Sequence, residues 1–397
     1  MAAILTARAG GMTAVIEANA TAGRKLLLTG GGRCNFTHLV TAGEMVRAFG
    51  PKGRFLSYGL HKFPPDKVRD FFRVRGLQSN VEQDGCVFPV TDRAGDVRDT
   101  LLAEAKRLGV RFMFSTKVQS VTKDGHRFVI KTARQVILTE KVIIATGGFS
   151  CPGTGSNGDG YRFARHFGHT IVEPRPSLVP LVTLESWPRD LAGTSLENVK
   201  ISTAIGKKKI VVTGPMLFTH DGVSGPAVLD LSRLVTDFLP SEKNPLKISI
   251  DLVGNVSEAE LERMILRQMS EHPKKTVASV LAGLLPRRIS QVLCRQFDFA
   301  AKLYANQLGK NLRRKLLQLL KAVPLSIVHT RPIAEAMVTR GGVSVTQIEA
   351  KTMESKICPG LFFAGEILDV DGPCGGYNLQ MCWSTGALAG LCASKGR

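Results

Sequence analysis

The sequence predicts an α/β protein whose parallel-sheet domain is interrupted by an antiparallel β domain and a small helical domain. Three observations support this prediction. Short apolar runs, KVIIA at 141–145 and LFFAG at 361–365, lead into glycine-containing loops, as buried parallel strands do. Short strand patterns broken by Gly and Pro fill 174–255, which is typical of antiparallel sheet. Apolar spacing near 3.6 residues then runs through 256–325, which indicates helices.

Length and charge narrow the class of protein. A chain of 397 residues exceeds one ordinary domain, so we expect two or three. With 53 Lys and Arg against 33 Asp and Glu, the formal net charge is +20, which favours an anionic partner such as a nucleotide, RNA or a membrane, unless the lineage is simply basic. No apolar run reaches the ~18–20 residues of a membrane span, and no leader pattern is present, so we expect a soluble cytoplasmic protein.

Cysteine and glycine usage point to different features. The eight cysteines are scattered, without a CxxC pair or a His/Cys cluster at zinc spacing, so we expect reduced thiols and no metal site. The forty glycines exceed the usual share of roughly 7%. Such a surplus implies many backbone positions that need a positive φ or a close approach to a ligand.

The first elements are a helix over 1–10 and a buried strand over 12–17, MTAVIE. An acid at the end of the second strand of a Rossmann unit accepts the ribose hydroxyls of a dinucleotide, which makes Glu17 a candidate ligand. The usual beginning of such a unit, a strand followed by GxGxxG, does not precede this helix. Glu17 on its own is therefore weak support for a dinucleotide site.

The next segment, TAGRKLLLTGGGRCN, places three consecutive glycines between basic residues. Adjacent glycines let backbone N–H groups converge on an anion, and the flanking cations complement phosphate charge. The alternative is a flexible hairpin loop. Cys34 follows Arg33 directly, and a neighbouring guanidinium favours the thiolate. The candidate residues of this segment are Arg24, Lys25, Gly30, Gly31, Gly32, Arg33, Cys34 and Asn35.

Two later strands also end at loops that can approach a ligand. The strand KVIIA delivers the chain to Ala145, Thr146 and Gly147, and the strand LFFAG delivers it to Gly365 and Glu366. Beyond them, a Gly-Gly turn precedes a helix predicted from about Asn378. The unpaired N–H groups of that helix N-terminus would stabilise negative charge on a ligand.

The middle of the chain carries the inserted domains and much of the charge. We assign 174–255 to a β-barrel-like domain and 256–325 to a helical insert, with the α/β frame in 1–173 and 326–397. Residues 274–321 hold eleven Lys and Arg and one acid, Asp298. A solvated helix face normally mixes the two signs, so this stretch predicts an anionic macromolecular partner such as RNA.

The order of these motifs resembles one family. The segments GRKLLLTGGGRCN, ATGGFSCPGTGSNGDGY, PSLVPL, LFTHDGVSGPAVL, TRGGVS, TMESK and GLFFAGEILDVDGPCGGYNLQ together are similar to the aminoacetone-oxidase-like family of NAD(P)/FAD-dependent oxidoreductases. The similarity runs from about Met1 to Gly396. It implies a Rossmann-like FAD-binding domain of the two-dinucleotide-binding-fold type, interrupted by a β-barrel and a helical insert.

The resemblance also assigns roles to residues. It makes Glu17 a ribose ligand, and it makes Arg24 and Lys25 adenosine-side or phosphate contacts. It places Gly30, Gly31, Gly32, Arg33, Cys34 and Asn35 along the flavin and pyrophosphate, and Val118 at the adenine. It assigns the remaining contacts to Ala145, Thr146 and Gly147 on a second strand-to-loop segment, to Gly365, Glu366 and Asp369 at the pyrophosphate and ribityl chain, and to Gly375, Gly376, Tyr377 and Asn378 at the isoalloxazine.

One departure from the family concerns the start of the chain. Relatives begin with a strand and GxGxxG upstream of the helix that starts here at Met1. This difference predicts either a start codon placed too late, which we favour because the other motifs are intact, or a shortened chain that binds FAD poorly.

The resemblance implies NAD(P)H-driven reduction of an activated C=C bond, with uridine in large-subunit ribosomal RNA as the favoured substrate. Forming dihydrouridine needs hydride at C6 and a proton at C5, so an acid must face the flavin across the base. Cys34 and Cys374 are the candidate acids, and Cys151 lies in a third loop of this kind. Two alternatives are a flavoenzyme acting on a small amine or conjugated carbonyl compound, and a non-catalytic RNA-binding remnant. The sequence leaves the oligomeric state open.

Overall fold

Two units divide the chain in the computed structural model, which describes residues 1–238, 243–297 and 303–395. The first unit joins Met1–Pro176 to Ala336–Arg397, and the second is Ser177–Glu335. An α/β unit with a long insertion is therefore confirmed. Asp298, the single acid of the basic stretch, lies outside the described residues.

The helices and strands follow the sequence in order. The described residues form the α-helices α1 (Ala2–Arg8), α2 (Ala42–Ala48), α3 (Gly53–Lys62), α4 (Pro65–Arg73), α5 (Ala94–Arg107), α6 (Asp159–His166), α7 (Pro226–Val235), α8 (Glu258–Glu271), α9 (Val277–Leu281), α10 (Arg287–Gln296), α11 (Lys310–Lys321) and α12 (Tyr377–Ala393). They also form the strands β1 (Ala14–Ile16), β2 (Thr37–His38), β3 (Ser79–Val81), β4 (Cys86–Pro89), β5 (Arg111–Met113), β6 (Val118–Asp124), β7 (Arg127–Thr132), β8 (Val136–Thr139), β9 (Val142–Ile144), β10 (Ile171–Ser177), β11 (Leu181–Thr183), β12 (Ser195–Ile205), β13 (Lys208–Phe218), β14 (Gly222–Ser224), β15 (Leu246–Asp251), β16 (Val323–Thr330), β17 (Val338–Val343) and β18 (Leu361–Phe363).

Two parallel strand pairs carry the predicted site segments of the first unit. Strand β1 pairs with β5 so that Ala14 lies opposite Arg111, and β18 pairs with β9 so that Leu361 lies opposite Val142. Within the described residues these pairs are two separate two-stranded sheets. At their carboxyl ends, the strands β1, β9 and β18 each lead into a loop that is predicted to contact the ligand. The sequence-predicted strands MTAVIE, KVIIA and LFFAG are thus confirmed, each shorter than its apolar run.

Helix α12 anchors the first unit. It is apolar on all sides, and most of its residues from Gln380 to Gly390 are buried. The indole N–H of Trp383 donates to the carbonyl oxygen of Phe36 at 2.7 Å, which ties the helix to the chain entering β2. At its far end, Gly390 lets α1 approach closely, because a Cβ there would lie 2.3 Å from the carbonyl oxygen of Ala2. The helix thereby fixes both the chain entering β2 and helix α1.

The second unit is a closed antiparallel barrel with strand order β11, β14, β13, β12, β15, β16. Helices α7 to α11 belong to the same unit, and one hydrophobic core contains both barrel and helix residues, including Ile201, Leu261, Ile289 and Leu317. The predicted end of this region at 325 is wrong. Strand β16 closes the barrel by pairing with β15 and β11, so the insertion ends at Glu335 rather than at 325. No helix among the described residues is long and apolar enough to cross a membrane.

We expect Phe218→Ala to destabilise the barrel unit by about 3–5 kcal/mol, because Phe218 is 1% exposed and packs 5.9 Å from the ring centroid of Trp187. Urea unfolding followed by the fluorescence of Trp187, in a Trp383→Phe background, measures the change. The matched control, Val211→Ala, lies on the same strand but is 41% exposed, and it should cost less than about 1 kcal/mol. Equal losses in the two variants would contradict this assignment of the core.

Candidate functional site

The end of β1 is organised around Glu17. Its Oε1 accepts hydrogen bonds from the backbone N–H and the side-chain amide of Asn19, at 2.8 and 2.9 Å. Asn19 in turn receives Arg24 on its Oδ1 and donates to the carbonyl oxygen of Thr154. The second carboxylate oxygen of Glu17 has no partner among the described residues. Glu17 is thus held in place with one oxygen left to accept hydroxyl groups.

The predicted adenine contact lies near Glu17. The carbonyl oxygen of Glu17 accepts the N–H of Thr116, two residues before Val118 at the start of β6. Arg162 of helix α6 donates to the carbonyl oxygen of Gln119. The structure therefore brings Glu17 and the start of β6 together, and Arg162 ties α6 to the same strand.

The three glycines form an exposed kink. Gly30, Gly31 and Gly32 have φ values of +56°, +65° and +90°, in the left-handed region that only glycine adopts without strain. A Cβ on Gly30 would lie 2.7 Å from the backbone nitrogen of Asn35, whereas one on Gly31 or Gly32 would meet nothing within 4 Å. The kink turns the chain back toward Asn35 and leaves bare backbone open to a ligand.

Lys25 and Glu366 form an ion pair that joins separate segments of the chain. Lys25 Nζ lies 2.6 Å from Glu366 Oε2, and their side chains are 24% and 13% exposed. Glu366 Oε1 accepts hydrogen bonds from the hydroxyl of Ser150 and the backbone N–H of Thr339, both at 2.8 Å. The hydroxyl oxygen of Thr339 accepts the N–H groups of Phe149 and Ser150. Sequence reasoning missed Ser150 and Thr339, although both lie inside motifs that carry the family resemblance.

Asp369 is held in a similar way. The ammonium of Lys52 forms an ion pair with its carboxylate and also donates to its carbonyl oxygen. No sequence motif marks Lys52, which directly precedes α3. Beside these acids, the hydroxyl of Tyr161 is buried and has no hydrogen-bond partner within the described residues. Burial, with Glu366 and Asp369 nearby, raises the pKa of this phenol, so it stays protonated and able to donate.

The Gly-Gly turn packs tightly against β2. A Cβ on Gly376 would lie 2.3 Å from the carbonyl oxygen of Thr37 and 2.7 Å from Asn35 Oδ1, so only glycine fits. Asn378 closes the turn on itself, because its side chain accepts the N–H of Gly372 and donates to the carbonyl oxygens of Gly372 and Pro373. Two segments predicted to contact the flavin, around Asn35 and Gly376, therefore lie in contact.

A titratable cluster adjoins this turn. The His38 ring stacks on Tyr377 at 4.8 Å between centroids, and its Nδ1 donates to the carbonyl oxygen of Gly375 at 2.9 Å. Cys86 Sγ lies 4.0 Å from that nitrogen and 3.2 Å from an oxygen of Asp84. Burial, and then Asp84, raise the pKa of Cys86 to about 12, which keeps the thiol protonated. Cys374, half-buried on the turn, lies close enough to add to that shift.

The thiolate predicted at Cys34 is wrong. Cys34 is fully buried among Phe36, Phe72 and Val87, and burial raises the pKa of its thiol to about 11. Arg33 points elsewhere: its guanidinium pairs with Glu82 and Asp92 and stacks on Phe88 at 3.9 Å. Because Arg33 is neutralised and the thiol is enclosed, Cys34 is a packing residue and not a reactive one.

The strand ends gather most of the predicted residues in one unit. Ala145 and Thr146 are exposed directly after β9, and Gly147 has φ +75°. The N–H of Gly365 donates to the hydroxyl of Thr385 on α12, which fixes the end of β18. The unpaired Tyr161 hydroxyl, the free oxygen of Glu17 and the bare backbone of Gly31 and Gly32 together fit a dinucleotide cofactor.

Known proteins resemble this chain along most of its length. A family profile described as "HI0933-like protein Rossmann domain" matches residues 1–392. The chain is 30% identical to the 3-dehydro-bile acid delta(4,6)-reductase of Clostridium scindens, over 100% of this chain and 96% of that protein. It is 32% identical to the ribosomal RNA dihydrouridine synthase of Escherichia coli K12, over 96% of this chain and 92% of that protein.

Solved structures show the same fold. A 3-ketosteroid-delta4-(5alpha)-dehydrogenase from Rhodococcus jostii RHA1 aligns with a TM-score of 0.51 and 15% identity, over 100% of this chain and 94% of its own. The open conformation of a flavocytochrome c3 fumarate reductase aligns with a TM-score of 0.50 and 15% identity, over 99% of this chain and 75% of its own. At these identities the likeness concerns the fold alone.

We expect Glu366→Gln to destabilise the first unit by about 1–3 kcal/mol and to lower its flavin content, because the change leaves the half-buried Lys25 ammonium without its carboxylate. Thermal unfolding and the ratio of visible to ultraviolet absorbance after gel filtration measure the two effects. The control Glu82→Gln breaks an exposed pair with Arg33 and should change stability by less than about 0.5 kcal/mol. Unchanged stability and flavin content in Glu366→Gln would show that the ion pair does not organise the site.

Proposed function

Because this chain belongs to the HI0933-like Rossmann-domain family of aminoacetone oxidase-like, FAD-dependent oxidoreductases, we propose that it reduces an activated carbon–carbon double bond, with uridine in large-subunit ribosomal RNA as the substrate. The single observation that supports RNA most directly is the set of unpaired basic side chains on the helices of the second unit. An rRNA substrate would place the enzyme in the cytoplasm.

FAD would lie across the strand ends of the first unit. Glu17 would receive ribose hydroxyls on its free oxygen, and the Gly30–Gly32 kink with Lys25 would face the phosphates. Tyr161 would donate its orphaned hydroxyl, and the N-terminus of α12 would face the electron-rich edge of the flavin. When bound, FAD supplies the hydride, and we propose NAD(P)H as the electron donor that reduces it.

The protein itself must supply the proton for C5 of the uracil ring. Cys34 is enclosed in the core, which leaves Cys374 as the acid among the two sequence candidates. Its neighbours suit this role: Cys86 is held protonated, and His38 sits beside the same turn with Nδ1 committed to Gly375. We therefore assign proton delivery to Cys374, and we assign positioning of its loop to Asn378 and His38.

Cys374→Ala should slow reoxidation of dithionite-reduced enzyme by substrate by about 10²-fold or more, the usual contribution of a general acid. Stopped-flow absorbance of the flavin measures this step apart from its reduction. Flavin content and the rate of reduction should not change. The control Cys34→Ala should leave the reoxidation rate unchanged, and an equal effect in both variants would remove Cys374 from the mechanism.

RNA would be bound by the helices of residues 274–321. Their apolar faces pack into the barrel core through residues such as Ile289, Val292 and Leu317, so the basic faces are left outside. Arg313 and Lys321 pair with Glu262 and Asp251. Seven others are exposed without an ion pair in the described part of the chain: Lys274, Lys275, Arg287, Arg288, Lys310, Arg314 and Lys315. Lys302, also basic, lies outside the described residues. Phosphate groups are the partners such a surface favours.

A second candidate is reduction of a small conjugated carbonyl compound. The relative from Clostridium scindens, named as a bile acid reductase, supports it. Neither of the two relatives described above is named for a small amine. The non-catalytic alternative requires that purified protein lacks the absorbance of bound flavin.

We expect ribosomal RNA from a strain lacking the gene to lose dihydrouridine, measured by mass spectrometry of nucleosides, and the wild-type gene to restore it. A triple variant, Lys310→Gln, Arg314→Gln and Lys315→Gln, should restore less and should reduce the salt slope of RNA binding by about two. The control, Lys207→Gln, Lys208→Gln and Lys209→Gln, removes three exposed charges from the β12–β13 hairpin of the same unit and should restore fully. Unchanged dihydrouridine content in the deletion strain would contradict the proposal that ribosomal RNA is the substrate, and reduction of a small conjugated carbonyl compound would remain.

A further inference from the structure

A second strongly basic feature lies in the first unit, at the C-terminal ends of three helices. Arg8 ends α1, Arg107 ends α5 and Arg75 follows α4. Together with Glu104 they line a surface pocket of about 480 Å³. None of these residues belongs to the predicted cofactor site, and the proposed reaction does not use them. The pocket is therefore separate from the predicted cofactor site.

All three guanidinium groups converge on a single carboxylate. Glu104 Oε1 accepts Arg8 at 2.6 Å, Arg75 at 2.8 Å and Arg107 at 3.1 Å, and Oε2 accepts Arg107 at 2.8 Å. Glu104 is 5% exposed, and the contacts with Arg107, which contributes most, and Arg8 lower its pKa. One carboxylate is matched by one bidentate arginine, so the pocket carries two positive charges more than its structural acid needs.

Many donors of these arginines remain unused. Glu104 is the only acceptor in the described residues for the side chains of Arg8 and Arg107, which are 40% and 65% exposed. Arg75 is 11% exposed, stacks on Phe71 at 3.8 Å and donates to the carbonyl oxygen of Phe71. Its Nε is buried and has no partner in the described part of the chain. A buried, unpaired guanidinium nitrogen is costly unless another acceptor is present.

We propose that this pocket binds a phosphate group, with Arg8, Arg75 and Arg107 as its ligands and Glu104 as the carboxylate that holds them in place. Guanidinium groups pair with phosphate oxygens through two parallel hydrogen bonds, and a tetrahedral anion can accept from three directions at once. The charge of the anion would offset the two excess positive charges. Free phosphate and the phosphodiester of an RNA chain share this chemistry.

Two substitutions with opposite expected effects test the site. Arg107→Gln removes an exposed ligand and should weaken binding of inorganic phosphate by about tenfold or more, since a charge-assisted hydrogen bond contributes that much. Glu104→Gln keeps the shape of the side chain but removes the negative charge that competes with the anion for the guanidinium groups, so it should tighten phosphate binding. The matched control Arg73→Gln removes the same charge nearby, from a residue that pairs with Asp70 outside the pocket, and should leave affinity within about twofold.

The measurement uses the flavin-loaded protein. Thermal stabilisation during a phosphate titration at constant ionic strength reports the affinity for free phosphate. A short single-stranded RNA oligonucleotide, titrated in the Lys310→Gln, Arg314→Gln, Lys315→Gln background, reports phosphodiester binding without the helical surface. A loss of either affinity in Arg107→Gln but not in Arg73→Gln supports the site and identifies the source of the phosphate. Equal behaviour of the two arginine variants toward both probes overturns it.

Discussion

The Glu366 carboxylate is the interaction on which the first unit depends. It accepts hydrogen bonds from an ammonium, a hydroxyl and a backbone N–H that come from three different segments. Lys25 brings the glycine loop, Ser150 brings the loop after β9, and Thr339 brings β17. Glu366 itself follows β18, whose end is pinned to α12 by the bond from Gly365 to Thr385. Since the pair is mostly shielded from water, its attraction is screened less than that of a surface pair.

Helix α12 extends this constraint to the other side of the site. Trp383 and Gln380 hold the β2 segment through Phe36 and Thr37, and the turn before the helix packs onto the same segment. Close packing of this kind requires a residue without a Cβ, which is why no larger residue fits at Gly376. The glycine surplus in the sequence thus has a local cause at the turn and at the kink of Gly30 to Gly32.

Some features could be predicted from the sequence because they are local. Short apolar runs predicted β1, β9 and β18, and the change to an apolar spacing of about 3.6 residues predicted the helices of the second unit. The domain boundary at 325 was wrong because β16 resembles the strands of the α/β frame in pattern, and only its pairing with β15 and β11 assigns it to the barrel. The prediction of a thiolate at Cys34 was wrong for a related reason. The sequence shows that Cys34 follows Arg33, but it does not show that Cys34 is buried or that Glu82 and Asp92 pair with Arg33. Lys52, Ser150 and Thr339 act through partners far away in sequence, so no short pattern marks them.

The division into two units bears on how one reaction could serve different substrates. Every residue assigned to the cofactor lies in the first unit, and the basic helix faces assigned to RNA lie in the second. The helices contribute apolar side chains to the barrel core, so their outer faces can change charge without altering that core. Relatives named for a bile acid and for ribosomal RNA have similar overall identity to this chain, so overall identity does not choose between the two substrates. Under the proposed RNA reaction, the positive charge of these outer helix faces, rather than the cofactor loops, is the feature that favours an RNA substrate over a small apolar one.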